Sequence, residues 1–340
     1  MLHFPQKLLP ILQLTRMALV FTAMADSACA LLLWAALAHP AGSGILRWLN
    51  PVQVICLMAI SIGLYGYGMS LNDIIDRRRD QRLAAHRPLP SGRIRPLTAT
   101  IVCVLLGVIA VTGGIIYSLN GPEGMLSLLL VVFTMALIVF YDFAAKYLVA
   151  PGLITLGLIR FFHAAIAAPR LPLLWQPLFL LDHVTLVSTI AYWWEMKRPV
   201  LTRAHFWSVV SGLVGINALL IGVFIWRRTQ EFPRENLTTI LGIQPGLLLP
   251  IAAALIFFIL AWLIGRRPLP RRQNGQTLML LGLLWLIVYD AAFVAGFVGY
   301  LPGIVILLLL PVAWFSVQLM RWASRLVVLT QRPKFKRVET

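Results

Sequence analysis

The residues best suited to chemistry gather first in Leu71-Asn72-Asp73-Ile74-Ile75-Asp76-Arg77-Arg78-Arg79-Asp80. This stretch follows directly on an apolar run, so it is predicted to continue that helix into the polar interface. On a helix, Asn72, Asp76 and Asp80 fall at i, i+4 and i+8 and share one face, with Asp73 close beside them. Like charges at that spacing repel, so something positive must offset them. Hard cations prefer carboxylate and amide oxygens, and Mg2+ is commonly held by one or two carboxylates together with substrate phosphates. A plainer alternative has Arg77, Arg78, Arg79 and Arg82 neutralise the aspartates on a solvated face. The order D-x-[DN]-x-[DN]-G of a calcium loop is missing, which excludes an EF-hand.

A second set of polar groups lies inside apolar stretches: Asp26, Asp182, Asp290, Arg160, His163 and His183. In a bilayer each such aspartate or arginine costs about 2.5–3.5 kcal/mol at mid-helix, so these residues are expected to pair or to face a wet cavity. An Arg160–Asp182 ion pair holding helices together is one expectation. Asp26 facing the cavity and contacting a substrate is the other. The two histidines show no metal-ligand spacing. Cys29, Cys56 and Cys103 stand singly and form no CxxC pair, which argues against a zinc site or a disulfide framework. Tyr65, Tyr67, Tyr141, Tyr192, Trp193 and Trp194 lie near span ends, where an interfacial aromatic belt accounts for most of them. Some are also placed to stabilise a carbocation through their ring faces.

The elements that must position these groups follow from composition. Of 340 residues, 60% are hydrophobic and only 12% charged, against about a quarter charged in soluble domains. The mean hydropathy is +0.85. A water-soluble globule is excluded. A bilayer core needs roughly 20 apolar residues per helix. Ten stretches qualify, at about 17–38, 52–71, 97–119, 125–141, 148–168, 173–194, 205–226, 246–265, 276–298 and 301–320. No polar connection is long enough to bury a core of its own. Ten spans put 23 basic residues on the side of both termini and 5 on the other, a positive-inside pattern that places the termini in the cytoplasm. The net charge of +17 therefore reflects topology and anionic headgroups, and nucleic acid is not expected as a partner.

After the acidic helix comes His86-Arg87-Pro88-Leu89-Pro90-Ser91-Gly92-Arg93-Ile94. The ordered combination Asn72-Asp73-x-x-Asp76-x-x-x-Asp80 and Arg87-Pro88-Leu89-x-x-Gly92-x-Ile94 resembles the UbiA superfamily of intramembrane prenyltransferases. There an NDxxDxxxD helix runs into an RPLxxGxI loop. The resemblance implies an all-α bundle of nine to ten transmembrane helices around a central cavity, forming one domain over residues 1–340. It implies an isoprenoid diphosphate bound through Mg2+, with Asn72, Asp73, Asp76 and Asp80 as the metal-binding set. Arg87 would contact the diphosphate or order the loop.

In Tyr141-Asp142-Phe143-Ala144-Ala145-Lys146 the family looks similar, with Tyr141 and Lys146 implied at the diphosphate. The family spacing is four residues and here it is five. Either the helix end is wound differently, or Asp142 takes the place of the tyrosine. The counterpart acidic motif, DxxxD, is implied after the sixth span. Here Glu195 stands for the first acid, but four residues on is Pro199, which cannot ligate through its side chain. Lys197 and Arg198 are the expected substitutes, contacting diphosphate oxygens directly. The family normally has nine spans, whereas the charge pattern favours ten.

The expected function is Mg2+-dependent transfer of a prenyl group to an aromatic or otherwise lipophilic acceptor. It would proceed in a multi-pass protein of a bacterial inner membrane, in contact with membrane lipid, with Lys146, Tyr141 and Asp26 at the reacting groups. A non-catalytic isoprenoid-binding relative and a membrane transporter are the alternatives.

Overall fold

The computed structural model describes residues 3–39, 49–85, 87–121, 123–197 and 199–330, and those residues form helices and connections with no strand among them. Each of the ten predicted spans is helical. They are α2 (Val20–Leu37), α3 (Pro51–Ile75), α5 (Pro96–Asn120), α6 (Met125–Phe143), α7 (Val149–Ala165), α8 (Trp175–Trp194), α9 (Arg203–Glu231), α11 (Leu248–Gly265), α12 (Arg271–Phe297) and the pair α13 (Tyr300–Leu307) and α14 (Leu309–Thr330). Among the described residues, eight helical stretches are long and apolar enough to cross a membrane. The two remaining spans are α7, which has 17 residues, and α8, which carries Gln176, Asp182 and His183. The predicted helical continuation of the acidic stretch is the short α4 (Arg77–Leu83), and among the described residues two further α-helices are absent from the sequence prediction: α1 (His3–Leu14) and the single turn α10 (Leu237–Ile240).

Local chemistry starts the helices that bear the site. Asn50 caps α3 by accepting the Val52 N–H at 2.9 Å, and Pro51 opens the helix where no backbone donor is needed. Pro96 opens α5 in the same way. Within the bundle, α3 and α5 approach until backbones touch. A Cβ at Gly63 would lie 2.7 Å from the Ala110 nitrogen and 2.7 Å from the Leu106 carbonyl oxygen. Small residues permit this, because packing rather than the hydrophobic effect joins helices in lipid.

The junction of α7 and α8 depends on Gly157 in the same manner. A Cβ there would fall 2.6 Å from the Leu181 carbonyl oxygen and into the Thr185 hydroxyl. Gly157→Val is expected to cost at least about 1–3 kcal/mol through overpacking. The check is thermal unfolding in detergent, with a lowered Tm and a reduced monodisperse fraction as the expected result.

α1 lies across the charged end of the bundle. Leu14 is fully buried among Leu89, Ile94 and Ala99, with Ile11, Ile74 and Val102 packed around them. Gln13 accepts from Arg93 Nη1 at 2.9 Å and donates to Ser324 Oγ at 2.7 Å, tying this helix to the α4–α5 loop and to α14. The chain leaves α1 through Arg16 in the left-handed region, at φ 46°. That turn sends the Arg16 side chain back towards α3.

Candidate active site

The acidic stretch of the sequence becomes the end of α3, a junction at Asp76 and the short α4. The path remains helical across the junction, since Asp76 N–H donates to the Asn72 carbonyl at 2.9 Å and Asp80 N–H to that of Asp76 at 2.8 Å. The face turned into the bundle is not the predicted i, i+4, i+8 set. It is Asp73, Asp76 and Asp80, exposed by 3%, 4% and 3%. Asn72 sits half-buried beside them, and Arg77, Arg78 and Arg79 face outward. The solvated-face alternative therefore fails on burial, and of those three arginines Arg79 alone pairs with one of the aspartates, at 2.6 Å from Asp76 Oδ2.

The partners of the other carboxylate oxygens come from elsewhere in the chain. Arg87, from the loop after α4, reaches Asp80 Oδ2 at 2.5 Å and Asp73 Oδ1 at 3.4 Å. Arg16 approaches Asp73 Oδ1 at 3.6 Å. From the opposite side, α6 ends at Phe143 because Ala144 leaves the helical region (φ −132°, ψ −60°), and a 3-10 turn over Ala145–Tyr147 follows. That turn aims Lys146 inward, its Nζ 2.9 Å from Asp76 Oδ1 and 3.3 Å from Asp142 Oδ1. Asp142 is 1% exposed and also accepts from Asn72 Nδ2 at 2.6 Å.

The result is a site in which four aspartates converge in two pairs, each pair on a single buried or half-buried cation. Asp73 and Asp80 share Arg87, and Asp76 and Asp142 share Lys146. With Arg16 and Arg79 the formal charges balance. Cations fixed in this way by buried acids are preorganised to bind a polyanion such as a diphosphate. Lys146 supplies a compact point charge and Arg87 a planar fork, suited to different oxygens of such a group.

Residues 27–198 match the model of the UbiA prenyltransferase family. The chain belongs to that family. The matched segment runs from α2 to just past the end of α8 and contains every residue of the paired-acid site except Arg16. Among solved structures, one described as giving structural and mechanistic insights into the biosynthesis of digeranylgeranylglyceryl phosphate synthase in membranes is similar over 85% of this chain and 98% of its own, with a TM-score of 0.54 and 19% identity. The UbiA homolog from Aeropyrum pernix K1 in its apo form gives a TM-score of 0.49 at 18% identity, over 82% of this chain and 97% of that one. Protoheme IX farnesyltransferase 1 of Vibrio parahaemolyticus serotype O3:K6 is 44% identical over 69 residues. That match takes in 18% of this chain and spans only 23% of the relative's length.

The remaining expected site residues of this UbiA-family chain are distributed as follows. Tyr141 is half-buried at the end of α6, and the residue after it, Asp142, accepts from Asn72 and from Lys146. Glu195 ends α8 and pairs with Lys197 at 3.3 Å, across a turn with Met196 at φ 51°. No hydrogen bond or ion pair links either residue to the paired-acid site among the described residues. Arg198, like His86, lies outside the described residues. The sequence reading missed Arg16, named Arg79 only as one of the arginines neutralising a solvated face, and named Asp142 only as a substitute for the tyrosine. The left-handed turn that aims Arg16 has no local signature, since it is neither Gly nor Asn.

The intramembrane charges correct another expectation. Arg160 pairs with Asp26 rather than Asp182, its Nε 3.0 Å from Asp26 Oδ2. Nη2 of the same guanidinium donates to Thr22 Oγ1 at 2.5 Å. His163 Nδ1 lies 3.4 Å from the same Asp26 oxygen, and its Nε2 contacts Ser61 Oγ at 3.2 Å. Asp26 is fully buried, held between α2 and α7. Asp290 accepts from Gln176 Nε2 at 2.9 Å, and Asp182 accepts from Asn217 Nδ2 at 2.7 Å. His183 contacts the Gly282 carbonyl at 2.9 Å, a packed bundle histidine.

Proposed function

We propose that this chain transfers a prenyl group from an isoprenoid diphosphate to a lipophilic acceptor inside the membrane. It would do so as one transmembrane domain over residues 1–340, with both termini in the cytoplasm of a bacterial inner membrane. The observation that carries the reading is Lys146 Nζ seated between Asp76 Oδ1 and Asp142 Oδ1, opposite Arg87 seated between Asp73 and Asp80. A binding site for apolar molecules alone has no use for four buried acids and the cations that balance them.

The donor set also suits Mg2+. Among the described residues no three acidic, His or Cys side chains converge on one point. Mg2+ needs only one or two carboxylates when phosphates supply the rest, and Asp73, Asp76 and Asp80, with Asn72 beside them, offer oxygen ligands on one buried face. Bound there, the ion would neutralise the diphosphate and make it a better leaving group. Glu195, at the end of α8, is the candidate acid from the second motif.

In this reading, Lys146 and Arg87 hold the diphosphate oxygens while the bond from C1 to the bridging oxygen breaks and its electron pair passes to the leaving diphosphate. Charge growing on that oxygen is met by the Lys146 ammonium, which Asp76 and Asp142 hold at the site. The apolar bundle excludes the water that would otherwise quench the allylic cation. The acceptor then forms a bond to C1 and gives up its proton.

The test is incorporation of label from radiolabelled farnesyl or geranylgeranyl diphosphate into an organic-soluble product by membranes that contain the protein, with Mg2+ present. Asp80→Asn is expected to reduce incorporation by about a hundredfold or more, because it loosens Arg87 and removes one oxygen ligand. Binding of the diphosphate by the parent protein without any transfer would make it an isoprenoid-binding relative. Labelled substrate crossing proteoliposomes unaltered would make it a transporter. Either outcome overturns the proposal.

A further inference from the structure

Asp142 has no counterpart in the acidic motifs that the family resemblance implies, yet it is the most buried acid of the site. It reaches the α3 aspartates from α6, on the far side of Lys146. Both of its contacts, from Asn72 Nδ2 at 2.6 Å and from Lys146 Nζ at 3.3 Å, fall on Oδ1. Asn72 thereby fixes the carboxylate, and Oδ2 takes part in neither contact.

The charges of the site balance in number only because exposed arginines are counted with the buried cations. Asp76 and Asp142 are both buried, and Lys146 is the one buried cation between them, with its side chain 6% exposed. Arg79, the other cation on Asp76, has 54% of its side chain in the open, where solvent weakens its hold. One carboxylate would suffice to pair one ammonium. A second buried carboxylate is costly to keep unless a further positive charge arrives during function.

The second acidic motif is short of a ligand at the same time. Pro199 stands where the resemblance places an acid, and Glu195 is paired with Lys197. We infer that Asp142 is the acid that makes up for this loss. With Asp76 it forms a cross-helix pair of oxygen ligands for the divalent cation that accompanies the diphosphate, and Lys146 moves from that pair onto phosphate oxygens. The inference rests on the prenyl diphosphate reading above and adds to it the residue that completes the cation site.

The experiment measures binding rather than turnover. Full-length protein in nanodiscs is titrated with Mn2+ in the presence of inorganic pyrophosphate and followed by the EPR signal of free Mn2+. Pyrophosphate alone is titrated in parallel by calorimetry. Asp142→Asn keeps the shape of the side chain. It is expected to weaken Mn2+ binding by at least about tenfold, as Asp76→Asn does, while metal-free pyrophosphate binds as tightly as before or more tightly. Asp142→Ser serves as a second variant should the amide disturb folding, and an unchanged Tm qualifies either one.

Mn2+ binding at parental strength in Asp142→Asn, with loss in Asp76→Asn, overturns the inference and leaves the functional reading intact. Equal weakening of metal-free pyrophosphate and of Mn2+ also overturns it, since Asp142 would then only position Lys146. Failure of the parent protein to bind pyrophosphate under any condition sinks the functional reading itself.

Discussion

Lys146→Met is expected to lower prenyl transfer by roughly a hundred- to a thousandfold, the loss seen when one preorganised donor is taken from a developing oxyanion. Methionine keeps the unbranched stem and removes only the charge. The ammonium it deletes bridges Asp76 on the α3–α4 junction and Asp142 on α6, at 2.9 and 3.3 Å. The variant therefore also leaves two buried carboxylates facing each other, and the transition to the unfolded state should fall in temperature. Single-turnover rates on protein that remains monodisperse separate the two effects. A rate within threefold of the parent, with diphosphate in excess, would remove Lys146 from the chemistry.

The largest stability effect is expected deeper in the bundle. Asp26→Ala removes the carboxylate that pairs with Arg160 and strands the guanidinium inside the membrane, its Nη2 donating to Thr22 Oγ1. Breaking a buried pair from one side costs about 3–5 kcal/mol, because a charge is left uncompensated. Replacing both partners, as Asp26→Leu with Arg160→Met, should recover most of that loss, since a well-packed apolar pair of similar volume is often as stable as the ions. Thermal unfolding of the parent, the two single variants and the double variant closes the cycle. Full activity in a folded double variant would assign this ion pair to architecture; a folded but inactive one would give Asp26 the acceptor contact that its position in the sequence suggested.

Much of the molecule was legible beforehand. All ten apolar stretches are helices, because in a bilayer the backbone has to satisfy its own hydrogen bonds and length and hydropathy then suffice. What went unseen was short or amphipathic. α1 gains its stability from Leu14 packing on Leu89 and Ile94, a contact to residues about eighty positions away, and no local pattern announces it. The buried face of the acidic helix was misplaced by one residue. The i, i+4, i+8 spacing favoured Asn72, Asp76 and Asp80, whereas packing turned Asp73 inward with Asp76 and Asp80 and left Asn72 to reach across to Asp142.

The pairing of charges shows the same limit. Sequence showed Asp26, Asp182 and Arg160 as charges in need of partners and pointed to Asp182 for the guanidinium, whereas the structure gives it Asp26. That choice fell to the contact of α7 with α2, while Asp182 was turned towards Asn217 on α9.

By itself, the sequence determined the membrane environment, the helices and the presence of an acid-rich end followed by an arginine loop, since composition and periodicity act over one or two turns. Only the tertiary structure decided that Arg16, Arg87 and the Asp142–Lys146 pair, drawn from three separate segments, meet the acidic residues of α3 and α4 as paired charges. Coulombic partners are chosen by distance in space, and in a helical bundle that distance is set by how helix faces pack and where a helix such as α6 breaks, neither of which spacing along the chain encodes.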